Sequence, residues 1–233
     1  MNLLTSILSV IIAIVGASGI ASAGPIIATP AGLNPGDHFR IVFVTDTTTT
    51  ASDSNLNTYD NLVTTDANGA TYNGQAITWQ AIVSSSSVNA INRIQEYDVP
   101  VYLADGTKVA DSDTSATNGL WSTTLENPIN EDLSHTPITA LVWTGTGATG
   151  FAFSGNEIGS EQPSVGSTIV TYAAWATAGF YDPSYQYNLY GISSELTVLA
   201  TVPEPSTAML AGLGIFATAI CGYRRQKNIS TIV

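Results

Sequence analysis

His38-Phe39-Arg40-Ile41-Val42-Phe43-Val44-Thr45 is the stretch of the 233-residue chain on which the fold turns. Its side chains alternate, with Phe39, Ile41 and Phe43 on one face and Arg40, Val42 and Val44 on the other. Both faces are largely apolar, so the segment reads as a well-buried strand. Downstream, residues 53–65 place Leu56, Tyr59, Leu62 and Val63 at helical spacing, with Ser52 or Asp53 as the cap. Residues 77–83 are strand-like. Ser86 or Ser87 is then expected to cap a second helix running to Glu96, with Val88, Ile91 and Ile94 on one side. Residues 99–103 read as a short strand ending in an Asp105-Gly106 turn, and residues 138–144 and 190–201 as the later strands. Loops rich in Gly, Ser, Thr and Asn lie between them, and no internal repeat is visible. The expectation is a single α+β domain over residues 24–201, with two early helices and a twisted, mainly antiparallel sheet.

Charge restricts the partners of this domain. Between residues 24 and 202 stand 17 Asp and Glu against Arg40, Arg93 and Lys108, a balance of −14 within a chain of net charge −12. An acidic body repels phosphate backbones, which argues against nucleic acid as a partner. The sole cysteine, Cys221, falls in a late apolar run, so the body has no internal disulfide, no cysteine zinc ligand and no cysteine nucleophile. Packing in lipid is the plain reading of Cys221, and lipidation the alternative.

The two ends read as addresses. Residues 3–20 are apolar or small and are followed by Ala21-Ser22-Ala23, the small-x-small pattern accepted by signal peptidase. Residues 1–23 are therefore read as a signal peptide cleaved after Ala23, with an uncleaved membrane helix as the alternative. At the other end, Val202-Pro203-Glu204-Pro205-Ser206 precedes an uncharged run and then Tyr223-Arg224-Arg225-Gln226-Lys227. Two prolines around a glutamate hold the backbone extended and accessible. Residues 206–223 read as a short transmembrane helix, and the basic cluster after it is expected to stay in the cytoplasm with the tail 228–233.

This order of Pro-Glu-Pro, apolar helix and Arg-rich tail, over residues 202–227, resembles the PEP-CTERM sorting domain. The resemblance implies recognition by exosortase, a membrane enzyme cutting near Pro203-Glu204-Pro205, with Arg224 and Arg225 as part of the signal. It also implies a Gram-negative-type bacterium that makes exopolysaccharide, inner-membrane anchoring in transit, and a final place at the cell surface or outside. The body has its own resemblance. Trp79, Pro100-Val101-Tyr102-Leu103, Val142-Trp143-Thr144-Gly145 and Tyr190-Gly191-Ile192-Ser193-Ser194-Glu195 follow in an order similar to the C-type lectin-like fold, its endostatin-type branch in particular. That implies a last strand returning beside the first. The paired cysteines of the family are missing. Glu126-Asn127-Pro128 and Gln162-Pro163-Ser164 do not reproduce its calcium-dependent sugar motif, so a fold carries over and a sugar site does not.

Catalytic motifs are scarce. His38 and His135 are the only histidines, and no serine lies in Gly-x-Ser-x-Gly. Gly145-Thr146-Gly147-Ala148-Thr149-Gly150 has Gly-x-Gly-x-x-Gly spacing but no helical pattern after it, and reads as a loop. Asp111 and Asp113, with Asp105 nearby, offer oxygens to calcium, yet Ser122 stands where a calcium loop needs glutamate. No cofactor is expected. Among the aromatics, Trp143 is expected in the core, while Trp175, Tyr181, Tyr185 and Tyr187 lie in a loop-like region suited to contact with a glycan. Three readings stand: a noncatalytic surface or matrix protein, a carbohydrate-binding module using those aromatics, and a glycan hydrolase using a carboxylate pair.

Overall fold

The computed structural model describes residues 24–94, 99–112 and 119–200. In chain order the elements are β1 (Ile26–Ile27), β2 (His38–Val44), α1 (Leu56–Asp66), β3 (Thr71–Tyr72), β4 (Gln75–Ala76), β5 (Trp79–Ala81) and α2 (Ala90–Arg93). There follow β6 (Val101–Tyr102), β7 (Lys108–Ala110), β8 (Leu141–Trp143), β9 (Ser164–Ser167), β10 (Gly179–Phe180), β11 (Asn188–Ser193) and β12 (Leu196–Thr197). The protein is sheet-rich α+β. Its main sheet runs β10-β9-β8-β11-β2-β6-β7, with β5 also on β11 and β12 also on β2. The β8–β11 and β2–β6 pairs are parallel. The other pairings of this sheet are antiparallel.

The alternation of β2 sorts its side chains into two cores. Phe39, Ile41 and Phe43 join Tyr59, Val63, Trp79, Trp143 and Leu189 on one face. Val42 and Val44 join Ile82, Val101, Leu120, Trp175, Tyr190 and Ile192 on the other. Helix α1 covers the first face, and Gly191 lets it approach. A Cβ at that position would stand 2.4 Å from Phe43 Cε1 and 2.5 Å from Val63 Cγ1, so strand and helix close only over a residue without a side chain.

Several boundaries differ from expectation. The cap of α1 is Asn55, whose side chain accepts the Asn57 N–H. Asp53 instead accepts from the Asn55 N–H and the Thr58 hydroxyl, which fixes the preceding turn. The second helix shrinks to Ala90–Arg93 because the serine run before it closes a turn, Ser85 N–H to Val88 O at 2.9 Å. Ser84 Oγ accepts the Ala90 N–H, and the Asn89 side chain is engaged with the Ala152 N–H. Neither Ser86 nor Ser87 caps it, and Glu96 lies outside the described residues. The predicted strand 138–144 contracts to β8, since the Ala140 N–H is taken by the Thr168 hydroxyl. The predicted final strand breaks in two where the Ser194 N–H turns to Thr78 O. Among the described residues, no helix is long and apolar enough to cross a membrane, and the expected span 206–223 lies outside them.

Candidate binding surface

Three tyrosines converge beyond the edge strand β10. The Tyr181 N–H donates to Pro163 O at 3.2 Å, continuing the β10–β9 pairing by one residue. The chain then turns on Asp182, whose Oδ1 accepts the Ser184 N–H at 2.9 Å and its hydroxyl at 2.7 Å. These bonds hold the Asp182 carboxyl below its ordinary range. The turn brings the Tyr181 and Tyr185 rings within 6.4 Å of each other, and both onto Tyr187, at 5.7 and 6.1 Å. Tyr187 is fixed from behind. Its backbone exchanges hydrogen bonds with Thr49, and its ring lies 4.9 Å from Trp143, whose Nε1 donates to Thr49 O. Tyr181 and Tyr185 are 37% and 52% exposed, while Trp143 is fully buried as expected. Burial, then the neighbouring phenols, push the Tyr187 hydroxyl up, so it keeps its proton across the physiological range. Exposed aromatic rings held on a rigid base present an apolar face with a polar edge, the combination that stacks on sugars.

Trp175 does not belong to this surface. It sits in a 3-10 turn, Ala173–Trp175, with 0% exposure, and its ring packs against Trp121 at 6.1 Å and Tyr190 at 5.9 Å. Its faces are covered by the second core, which corrects the expectation of glycan contact there. Phe153 and Phe180, which the sequence did not single out, are exposed and meet edge to face at 6.3 Å. Phe-x-Phe at 151–153 inside a glycine-rich loop was the available signal.

The calcium candidates fare differently. Asp111 Oδ1 lies 2.6 Å from Lys108 Nζ, which also reaches Glu126 at 3.2 Å. The lysine hydrogen bond holds the Asp111 carboxyl low, and Asp111 in turn leads the rise of the lysine. Asp111 is thus an ion-pair partner, and Asp113 lies outside the described residues. Among the described residues, no group of three or more His, Cys, Asp or Glu is arranged to hold a metal. Carboxylates do converge in two places. Asp46 is pushed up by burial and by Asp132 and Asp66. Glu131 is pushed up chiefly by burial, while its Oε1 accepts the Asp105 N–H at 3.0 Å.

Ala21, Ala23, Pro203, Glu204, Pro205, Arg224 and Arg225 lie outside the described residues. No curated protein matches the chain. Residues 201–225 match the model of the PEP-CTERM protein-sorting motif, and the chain is thereby an exported protein sorted by exosortase.

Proposed function

We propose that the body is a noncatalytic component of the cell surface or extracellular matrix, and that it holds polysaccharide through Tyr181, Tyr185 and Tyr187. The ledge itself carries this reading: two exposed rings braced on Tyr187 and Trp143, ordered by the fold before any ligand arrives. Preorganised aromatic contacts lose little freedom on binding. In this reading signal peptidase cuts after Ala23, residues 206–223 span the inner membrane in transit, and Arg224 and Arg225 stay in the cytoplasm. Exosortase then acts near Pro203-Glu204-Pro205. A C-type lectin-like fold is part of the same proposal, and its support is the return of β11 and β12 to β2.

The histidines support a noncatalytic role. His38 Nδ1 faces both Glu195 Oε1, at 2.5 Å, and Thr197 Oγ1, at 3.4 Å. A proton relay needs nucleophile and carboxylate on opposite ring nitrogens, and here one nitrogen meets both. His135 faces Glu131 at 3.7 Å. The test is retention of the exported protein on the host's exopolysaccharide, with Tyr181→Ala/Tyr185→Ala as the variant. Loss of retention at unchanged thermal stability is expected. Undiminished retention removes the ledge from the reading, and release of new reducing ends by the protein removes its noncatalytic part.

A further inference from the structure

On a separate part of the surface, the β6–β7 hairpin and the segment 127–137 enclose a pocket of ≈ 300 Å³. That is at the small end for organic ligands and suits one compact molecule. Asp105, Thr107, Asn127, Asn130 and Glu131 supply its polar lining, and Pro128 and Pro137 bring apolar surface without N–H groups.

Its charge is one-sided, with the carboxylates of Asp105 and Glu131 and no Lys or Arg in the lining. The Asp105 N–H donates to Glu131 Oε1 at 3.0 Å. Thr107 donates its N–H and its hydroxyl to the two oxygens of Asp105, at 2.7 and 3.0 Å. Asn127 Nδ2 donates one N–H to Lys108 O at 2.9 Å, which leaves its second N–H and its Oδ1. The Asp105 and Thr107 donors are consumed within the protein, the two carboxylates only accept, and the Asn127 and Asn130 amides can both give and accept. The nearest lysine, Lys108, is held by Asp111 and Glu126. Glu131 is 9% exposed in its side chain, and the Nδ1 of His135, a side chain 53% exposed, lies 3.7 Å from it. A uronate or a phosphate would bring its anionic oxygens against the carboxylates of Asp105 and Glu131. A ligand rich in donors and carrying positive charge would find partners throughout.

We infer that this pocket binds an amino sugar with a free ammonium group, its charge placed at Glu131 and Asp105 and its hydroxyls at Asn127 and Asn130. The inference is independent of the tyrosine ledge. The test uses the full exported protein, titrated at about neutral pH with glucosamine, N-acetylglucosamine and glucuronate, and followed by calorimetry. Saturable binding of glucosamine is expected, weakened at least about tenfold by acetylation, with no saturable binding of glucuronate. Asp105→Asn, on the exposed turn, and Glu131→Gln should each weaken glucosamine by about tenfold or more. Equal binding of glucuronate, absence of saturable glucosamine binding, or glucosamine affinity unaltered in a folded Asp105→Asn variant each overturns the inference.

Discussion

Arg93 Nη2 lies 2.7 and 2.6 Å from the two carboxylate oxygens of Asp60, a contact that joins α2 to α1 across β5. The strand between them takes part. Asp60 Oδ1 also accepts the Ala81 N–H, and Arg93 Nη1 donates to Ala81 O and Val83 O. The two side chains are only 10% and 20% exposed. Asp60→Ala leaves a largely buried guanidinium without its counter-charge and is expected to cost about 3 kcal/mol. Asp60→Ala/Arg93→Leu should cost less than the two single changes added together, because the stranded charge is gone. Urea unfolding of the three variants measures this, and strict additivity would show that the pair is not coupled.

Trp143 links the core to the ledge. Trp143→Ala removes a fully buried ring, the hydrogen bond to Thr49 O and the support of Tyr187. A loss of about 3 to 5 kcal/mol is expected, a large share of the stability of an ordinary domain. Trp143→Phe should lose less and keep Tyr187 in place. Thermal unfolding, with tyrosine fluorescence as the reporter of the ledge, separates the two.

Stability should peak on the acid side of neutrality. Asp46 and Glu131 have raised pKa values, so the folded state binds their protons more tightly than the unfolded state. Stability therefore rises as pH falls from neutral through those raised values, and the gain is complete below the ordinary values of 3.8 and 4.5. Asp111 is depressed, so its contribution is present above 3.8 and is lost as pH falls below that value. The melting temperature is expected to rise as pH falls from about 7 toward the ordinary carboxylate values and to fall again once pH drops below 3.8. Glu131→Gln should flatten the first limb, and a monotonic decline from neutrality in the parent protein contradicts the assignment.

Replacing Pro203, Glu204 and Pro205 together by alanine should leave the protein in the inner membrane of a host with the sorting enzyme, because the three residues lie inside the matched motif. Cell fractionation reads the outcome. Unchanged release would mean that the motif does not govern the final step.

What the sequence reveals here is local, and what it hides is long-range. Strand β2 was legible because each of its faces is apolar over several consecutive residues. The turn at Asp105-Gly106 was legible because Gly106 takes a positive φ of 90° there. The fate of the aromatics was not. Trp175 and Tyr181 sit in the same glycine- and alanine-rich stretch, and only the distant Trp121 and Tyr190 decide that the first is covered while the second is left outside. The cap of α1 was misplaced because Ser52, Asp53 and Asn55 are all competent, and the bond to the Thr58 hydroxyl directs Asp53 to the turn. The pocket at Glu131 joins residues 26 positions apart through one bond from the Asp105 N–H to the Glu131 carboxylate, which composition does not register.

The central place of β2 sets a schedule for an exported chain. Arg40 and Ser193 share a hydrogen bond although 153 positions separate them, and β2 is paired along residues 42–44 by β11 and at His38 and Phe39 by β12. Contacts of such long separation close slowly and close last. A polypeptide threaded through a translocation pore with its amino end leading has β2 outside early, with an open edge, and cannot seal either core until residues 188–193 follow. The sorting motif at 201–225 comes directly behind them. Late closure keeps the passenger threadable for nearly its whole passage, and folding and delivery to the sorting enzyme then fall at the same moment.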